Sequence, residues 1–241
     1  SVQDRLTNQL IDTSQAASDS IVGQEQAQLD ALRLVVFTVG VPEALIGRDA
    51  EALTGYMSTL ASNQNVEMLI ALDSAGVVIT DVRRSDDGGY LSGQLAGQDL
   101  SILPMVRPVL EGQQDELGDK FAGVIKIDEE SILLTAAPVR SDAGELIGLI
   151  LVGTPLRSML LQTKADILAD LTFYQSDGLA LETTFVLAGG QDLTALSISR
   201  DLYKEALFNP QEETSLRETL VSERHYQTAY IPLRIRNTVQ G

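Results

Sequence analysis

The chain has no cysteine, no tryptophan and a single histidine among 241 residues. Without thiols there is no disulfide framework, no Cys-ligated zinc site and no thiol nucleophile. The lone imidazole, His225, has Ser222 and Glu223 close in sequence, but on a strand these three do not line up as a triad. Gly-x-Ser-x-Gly, Gly-x-Gly-x-x-Gly, P-loop and His-Glu-x-x-His patterns are all missing, so no catalytic residue, metal site or cofactor is expected. No apolar run approaches the ~20 residues of a membrane span. Positive charge is scarce too: 17 Lys+Arg stand against 34 Asp+Glu, a net −17. Nucleic-acid and anionic-lipid partners both require clustered bases, so neither is expected.

Hydrophobic residues still make up 44% of the chain. That composition separates it from disordered acidic polymers, and its length allows a sizeable core. The charge is uneven. Residues 41–155 hold 18 acids and seven bases, a net −11, whereas 1–40 and 156–241 are each net −3.

From Val2 to about Val39 there is no proline and one glycine, and apolar or small residues recur at Leu6, Leu10, Ala17, Ile21, Ala31 or Leu32, Val35 and Val39. This spacing predicts a long helix ended by Pro42. A second helix is expected from Asp49, with Leu53, Met57 and Leu60 on one face.

The period then changes. Glu67–Leu72, the Asp73-Ser-Ala-Gly76 turn and Val77–Val82 read as a hairpin. A Pro-flanked helical stretch is expected at Ile102–Leu110, and strands at Phe121–Ile127, Ser131–Ala137 and Leu146–Val152. The order recurs in shorter form: Leu171–Tyr174, the Gln175-Ser-Asp-Gly178 turn, Leu179–Thr184, a helix at Asp201–Phe208 and strands at Leu216–Val221 and from Tyr226. Gly76 matches Gly178, Gly148 matches Gly241, and Ala-Pro-Val-Arg at 137–140 matches Ile-Pro-Leu-Arg at 231–234. The expected organisation is a pair of helices over 1–64, one PAS-like antiparallel subdomain over 65–155 and a smaller one over 156–241 that stops before its last strand, an α+β fold. The chain reads as a segment of a longer protein, with its anchoring helices lying outside it.

A long N-terminal helix followed by two PAS-like sheets resembles the double Cache sensor domain, the extracytoplasmic module of bacterial chemoreceptors, sensor histidine kinases and nucleotide cyclases. The residues carrying the resemblance are Val66–Thr80, Gly97–Ser101, Leu133–Val139, Gly144–Gly153 and Tyr226–Leu233. The resemblance implies a non-enzymatic sensing domain outside the cytoplasm, anchored in the membrane in its full-length protein. A small-molecule pocket in the membrane-distal sheet (65–155) would pass a shift through the proximal one. It also implies a homodimer through the N-terminal helix. The alternative is a protein-interaction or structural module without a small ligand.

A pocket of this kind needs a few convergent polar groups on an apolar wall. Arg83 ends the second strand, Tyr90 follows the Asp-Gly-Gly loop, Arg107 lies in the Pro-flanked stretch, and Lys126 and Thr135 interrupt apolar strands. These five are the expected ligand contacts. If the ligand is an anion, Arg would supply a bidentate fork and Lys a point charge. The acids at 115–119 and 128–130 match no calcium loop and are read as a solvated face.

Overall fold

A computed structural model describes residues 2–208, 216–236 and 238–241. The fold is α+β, with a long N-terminal helix followed by antiparallel strands. It divides into two compact units, Glu25–Pro155 and a discontinuous unit of Ser1–Gln24 with Leu156–Gly241. The helix α1 (Val2–Val36) contributes to both. It has 35 residues, about 52 Å at ~1.5 Å per residue.

In the Glu25–Pro155 unit, α1 buries Leu29, Ala31, Leu32 and Val35. The helix stops before the expected Val39. Thr38 turns its hydroxyl back onto Leu34 O at 2.6 Å, and Gly40 takes φ +96°, where a Cβ would lie 2.3 Å from the Tyr56 hydroxyl. Pro42 then sits in the first turn of a short α2 (Val41–Ile46), where its missing N–H costs nothing. Helix α3 (Ala50–Gln64) starts on Asp49, whose carboxylate accepts from Ala52 N at 3.0 Å, and buries Leu53, Met57 and Ala61.

The strands are β1 (Met68–Asp73), β2 (Val78–Arg84), β3 (Tyr90–Ser92), β4 (Phe121–Ile127), β5 (Glu130–Arg140) and β6 (Leu146–Pro155). They form one antiparallel sheet in the order β3-β2-β1-β6-β5-β4. Both faces are covered, so the central β1 is buried at every position and reads as an apolar run from Met68 to Leu72, closed by Asp73. One face packs Leu69, Ala71, Val82, Ala137, Ile150 and Val152 against α1, α2 and α3. The other packs Ile70, Leu72, Leu134, Leu149 and Leu151 beneath Leu95, Met105, Val106 and Val109. Of the helical stretch expected at 102–110, only α4 (Arg107–Leu110) is helical.

In the other unit, α5 (Leu156–Ile167) is held to α1 by polar contacts. Ser20 Oγ donates to Asp166 at 2.7 Å, and the Gln24 amide donates to Thr163 Oγ1 at 2.9 Å. After it come β7 (Thr172–Tyr174), β8 (Ala180–Thr183), α6 (Arg200–Phe208), β9 (Leu216–Val221), β10 (Arg224–Ala229), β11 (Arg234–Ile235) and β12 (Thr238–Val239). The strands pair two by two: β7 with β8, β9 with β10 and β11 with β12.

Three landmarks repeat between the units. Gly76 and Gly178 both take positive φ, +88° and +87°, and each carbonyl accepts from a later loop, from Leu100 N and Ile198 N respectively, both at 2.9 Å. A Cβ would lie 2.8 Å from Ser101 Cβ at the first and 2.3 Å from Ile198 O at the second, so glycine is required by space as well as by φ. A Cβ on Gly148 would lie 2.4 Å from Leu72 O, and one on Gly241 2.5 Å from Tyr174 O, so both glycines press on the first strand of their copy. Finally, the turns Asp128-Glu129 and Ser222-Glu223 are two-residue hairpin loops with both φ values positive. That backbone belongs to the turn types that match strand twist. It gives Asp128 and Glu129 a place in the β4–β5 turn.

Candidate functional site

The five expected contact residues do not line one pocket. Strand alternation puts Arg83 on the Ile70–Leu134 face, where it pairs with Glu130 and reaches Asp128 at 3.9 Å. Thr135 and Lys126 lie on the opposite face of their strands. Tyr90 packs there too, against the cluster beneath the helices. Its hydroxyl donates to Val66 O at 2.7 Å and accepts from Arg84 at 3.1 Å. Lys126 is 61% exposed and bonded to Glu129 at 2.9 Å. Arg107 is 71% exposed and bonded to Glu111 at 2.8 Å. Thr135 is fully buried, and its hydroxyl has no hydrogen-bond partner among the described residues.

A different polar group is buried beneath residues 93–95. Asp81 lies fully inside the Ile70–Leu134 face. One carboxylate oxygen accepts from Leu95 N at 2.7 Å, and the other has no partner among the described residues. Burial pushes its pKa above the ordinary carboxylate value, against the opposing pull of the backbone amide of Leu95 and of Arg83. A raised folded pKa means the native state holds the proton longer than the unfolded chain. The stability associated with the neutral carboxyl is therefore complete below the ordinary carboxylate range. It is lost as pH rises from that range through the raised value. Asp81→Asn keeps an acceptor for Leu95 N–H and removes the titration. Urea unfolding at a series of pH values is expected to show wild-type stability declining across this window relative to the variant. Parallel profiles would refute a buried, proton-holding Asp81.

The unit containing α5 has a cavity of about 400 Å³. Its walls come from three stretches far apart in sequence: Leu10, Thr13, Ser14 and Ala17 of α1; the turn 167–171 after α5 with Thr172 and Tyr174 of β7; and β9–β10 with Tyr230. Helical spacing places the α1 residues on one side, and the turn is fixed by Leu168 in a left-handed conformation, its N–H bonded to Lys164 O at 2.8 Å. Two aromatic pairs line the space. Phe185 meets Tyr226 edge-on at 4.9 Å, and Tyr174 meets Tyr230 at 6.0 Å, tilted by 54°. Hydroxyls are linked along one side: Thr228 donates to Thr219 at 3.0 Å, and Thr219 lies 3.5 Å from the Tyr230 hydroxyl. Burial, reinforced by Tyr230, raises the Tyr174 phenol well above its ordinary pKa, so it stays protonated and able to donate.

An apolar wall with a few hydroxyls is the composition common to small-molecule sites. His225, by contrast, is exposed on β10, 3.2 Å from Glu218. Ser222 Oγ accepts from Ala188 N at 3.1 Å and lies 3.2 Å from Gln191 Oε1. Among the described residues no group of three or more His, Asp or Glu side chains is placed to hold a metal ion.

Residues 3–241 match the family described as the double sensory domain of two-component sensor kinases. The chain belongs to this double Cache family. Solved structures similar to it include the ligand-binding domain of the Campylobacter jejuni chemoreceptor Tlp3 in complex with 4-methylisoleucine. That match has a TM-score of 0.59 and 13% identity, over 92% of this chain and 82% of that one. The sensor domain of the Vibrio cholerae histidine kinase DctB matches with a TM-score of 0.58 and 13% identity, over 91% and 84%. A domain of a Vibrio parahaemolyticus sensory box/GGDEF family protein matches with a TM-score of 0.57 and 11% identity, over 83% and 77%. At these identities the structural likeness speaks for the fold alone. No curated protein matches the sequence. No helix among the described residues of this double Cache chain is long and apolar enough to cross a membrane.

Proposed function

We propose that this double Cache chain is the extracytoplasmic ligand-sensing domain of a bacterial membrane receptor. It binds a small molecule in the cavity between α1, the 167–171 turn and β9–β10, and passes that event to a cytoplasmic output domain. The observation that carries the reading is the cavity itself: about 400 Å³ of largely apolar, aromatic-lined space with hydroxyls on one side, in a chain of a sensory family. Its volume falls within the ~300–1,000 Å³ of small-molecule sites. The reading also takes the chain as a homodimer through α1, on which Leu6 and Val22 are 55% and 46% exposed. Titrating the domain against organic acids, amino acids, sugars, nucleobases and neutral aromatics in a thermal-shift assay tests the proposal. At least one class is expected to raise Tm, because a ligand at 100 times its Kd adds about 2.7 kcal/mol. A flat response across every class would contradict it.

One feature favours a second reading for the Glu25–Pro155 unit alone. The sheet face beneath residues 95–110 is filled by Met105, Val106, Ile132 and Leu134, all fully buried, which favours a packing role for that face.

A further inference from the structure

We infer that the ligand of the cavity is uncharged, with a flat apolar body and one hydrogen-bonding head group. This rests on the proposed sensing role and adds the chemical class. Among the described residues no Lys, Arg or His lines the cavity. A carboxylate or phosphate entering it would shed water without meeting a countercharge, and isolated charges leave water only at a cost of several kcal/mol. Cations fare no better. Among the described residues the one acid on the wall is Asp170, and its Oδ1 already accepts from Lys164 Nζ at 2.5 Å and from Thr184 Oγ1 at 2.8 Å.

What the cavity offers instead is aromatic surface and neutral hydroxyls. The Tyr174–Tyr230 and Phe185–Tyr226 pairs present ring faces and edges on which a flat apolar group packs favourably. The hydroxyls of Thr219, Thr228 and Tyr230 form a short chain in which each can both donate and accept. A neutral head group such as a carboxamide or an alcohol matches that chain, since it brings both a donor and an acceptor without an ionic hydration shell to lose.

The test compares three probes of nearly the same shape: benzamide (neutral), benzoate (anionic) and benzylamine (cationic). Each is added to the whole domain at the same millimolar concentration, with Tm and calorimetric affinity as readouts. Benzamide is expected to raise Tm, and the two charged probes are expected to bind at least tenfold more weakly. Tyr230→Phe keeps the ring and removes one hydroxyl. It is expected to weaken benzamide roughly 3–10-fold, the worth of one hydrogen bond, while leaving the probe-free Tm close to wild type. If benzoate or benzylamine binds as tightly as benzamide, and Tyr230→Phe weakens it, the cavity is a ligand site but the neutral-ligand inference is overturned. If none of the three shifts Tm, the inference is overturned as well, and the wider screen decides the sensing role separately.

Discussion

Ser14→Trp is expected to abolish ligand-induced stabilisation while leaving the domain folded. Ser14 is half-buried on α1 at the cavity wall, and its hydroxyl donates to Ile11 O, in its own helix, at 2.8 Å. An indole there projects from a rigid helical position into the 400 Å³ space and takes the place of the ligand body. Tryptophan is tolerated in helices at a cost of under about 1 kcal/mol relative to the best residue. The helix and its contacts to α5 through Ser20 and Gln24 should therefore survive. A ligand that adds about 2.7 kcal/mol at 100 times its Kd should add nothing to the variant. Gln15→Trp is the control. Gln15 is the next residue, exposed and bonded to Asp19 at 3.2 Å, so the same side chain placed there should leave the ligand shift intact. Equal shifts in wild type and Ser14→Trp would mean that the ligand binds elsewhere.

The second large effect is on stability. Leu134→Ala is expected to cost about 2–5 kcal/mol in urea unfolding, the range for deleting a buried leucine whose surroundings cannot collapse. Leu134 is fully buried in β5 and pairs with Gly123 on β4 and Gly153 on β6. A large side chain is flanked by two residues without one. A Cβ on Gly153 would already lie 2.8 Å from Leu134 Cδ2, and one on Gly123 2.7 Å from Met105 Cε. The sheet backbone prevents either glycine from moving in to fill the hole, which favours the upper part of the range. Leu161→Ala on α5, 45% exposed, is the comparison and should cost under about 1 kcal/mol. Similar losses for the two would refute this account of the core.

Much of the fold is legible in the sequence because its determinants are local. The turn glycines Gly76 and Gly178, the cap at Asp49 and the apolar strand runs each specify their element within a few residues. The repeat is legible for the same reason, since each glycine pair meets the same constraint in both copies. The α1 end was harder to place. Val39 keeps the helical period, but it is 89% exposed, and the left-handed Gly40 governs that boundary. Helix α5 carries a sparse stripe, Leu156, Met159, Leu160 and Thr163, whose last member is polar and serves the contact to Gln24.

The site was less legible than the fold. Bases in a net −11 segment stand out as ligand contacts, yet the three expected there each pair with an acid: Arg83 with Glu130, Arg107 with Glu111 and Lys126 with Glu129. Their charge is used locally. The cavity carries no such flag, since its walls hold no base among the described residues and come from three stretches far apart in sequence. The signal it does leave is aromatic. The chain has only six Tyr and five Phe, and Tyr174, Phe185, Tyr226 and Tyr230 all line this one space.

A crystal structure of the domain grown with the best stabiliser from the thermal-shift screen tests the account most directly. Ligand density is expected between Ser14 of α1, Tyr174 of β7 and the Thr219–Tyr230 hydroxyls of β9–β10. Density against the sheet of the Glu25–Pro155 unit instead, at Arg83 or Thr135, would contradict it.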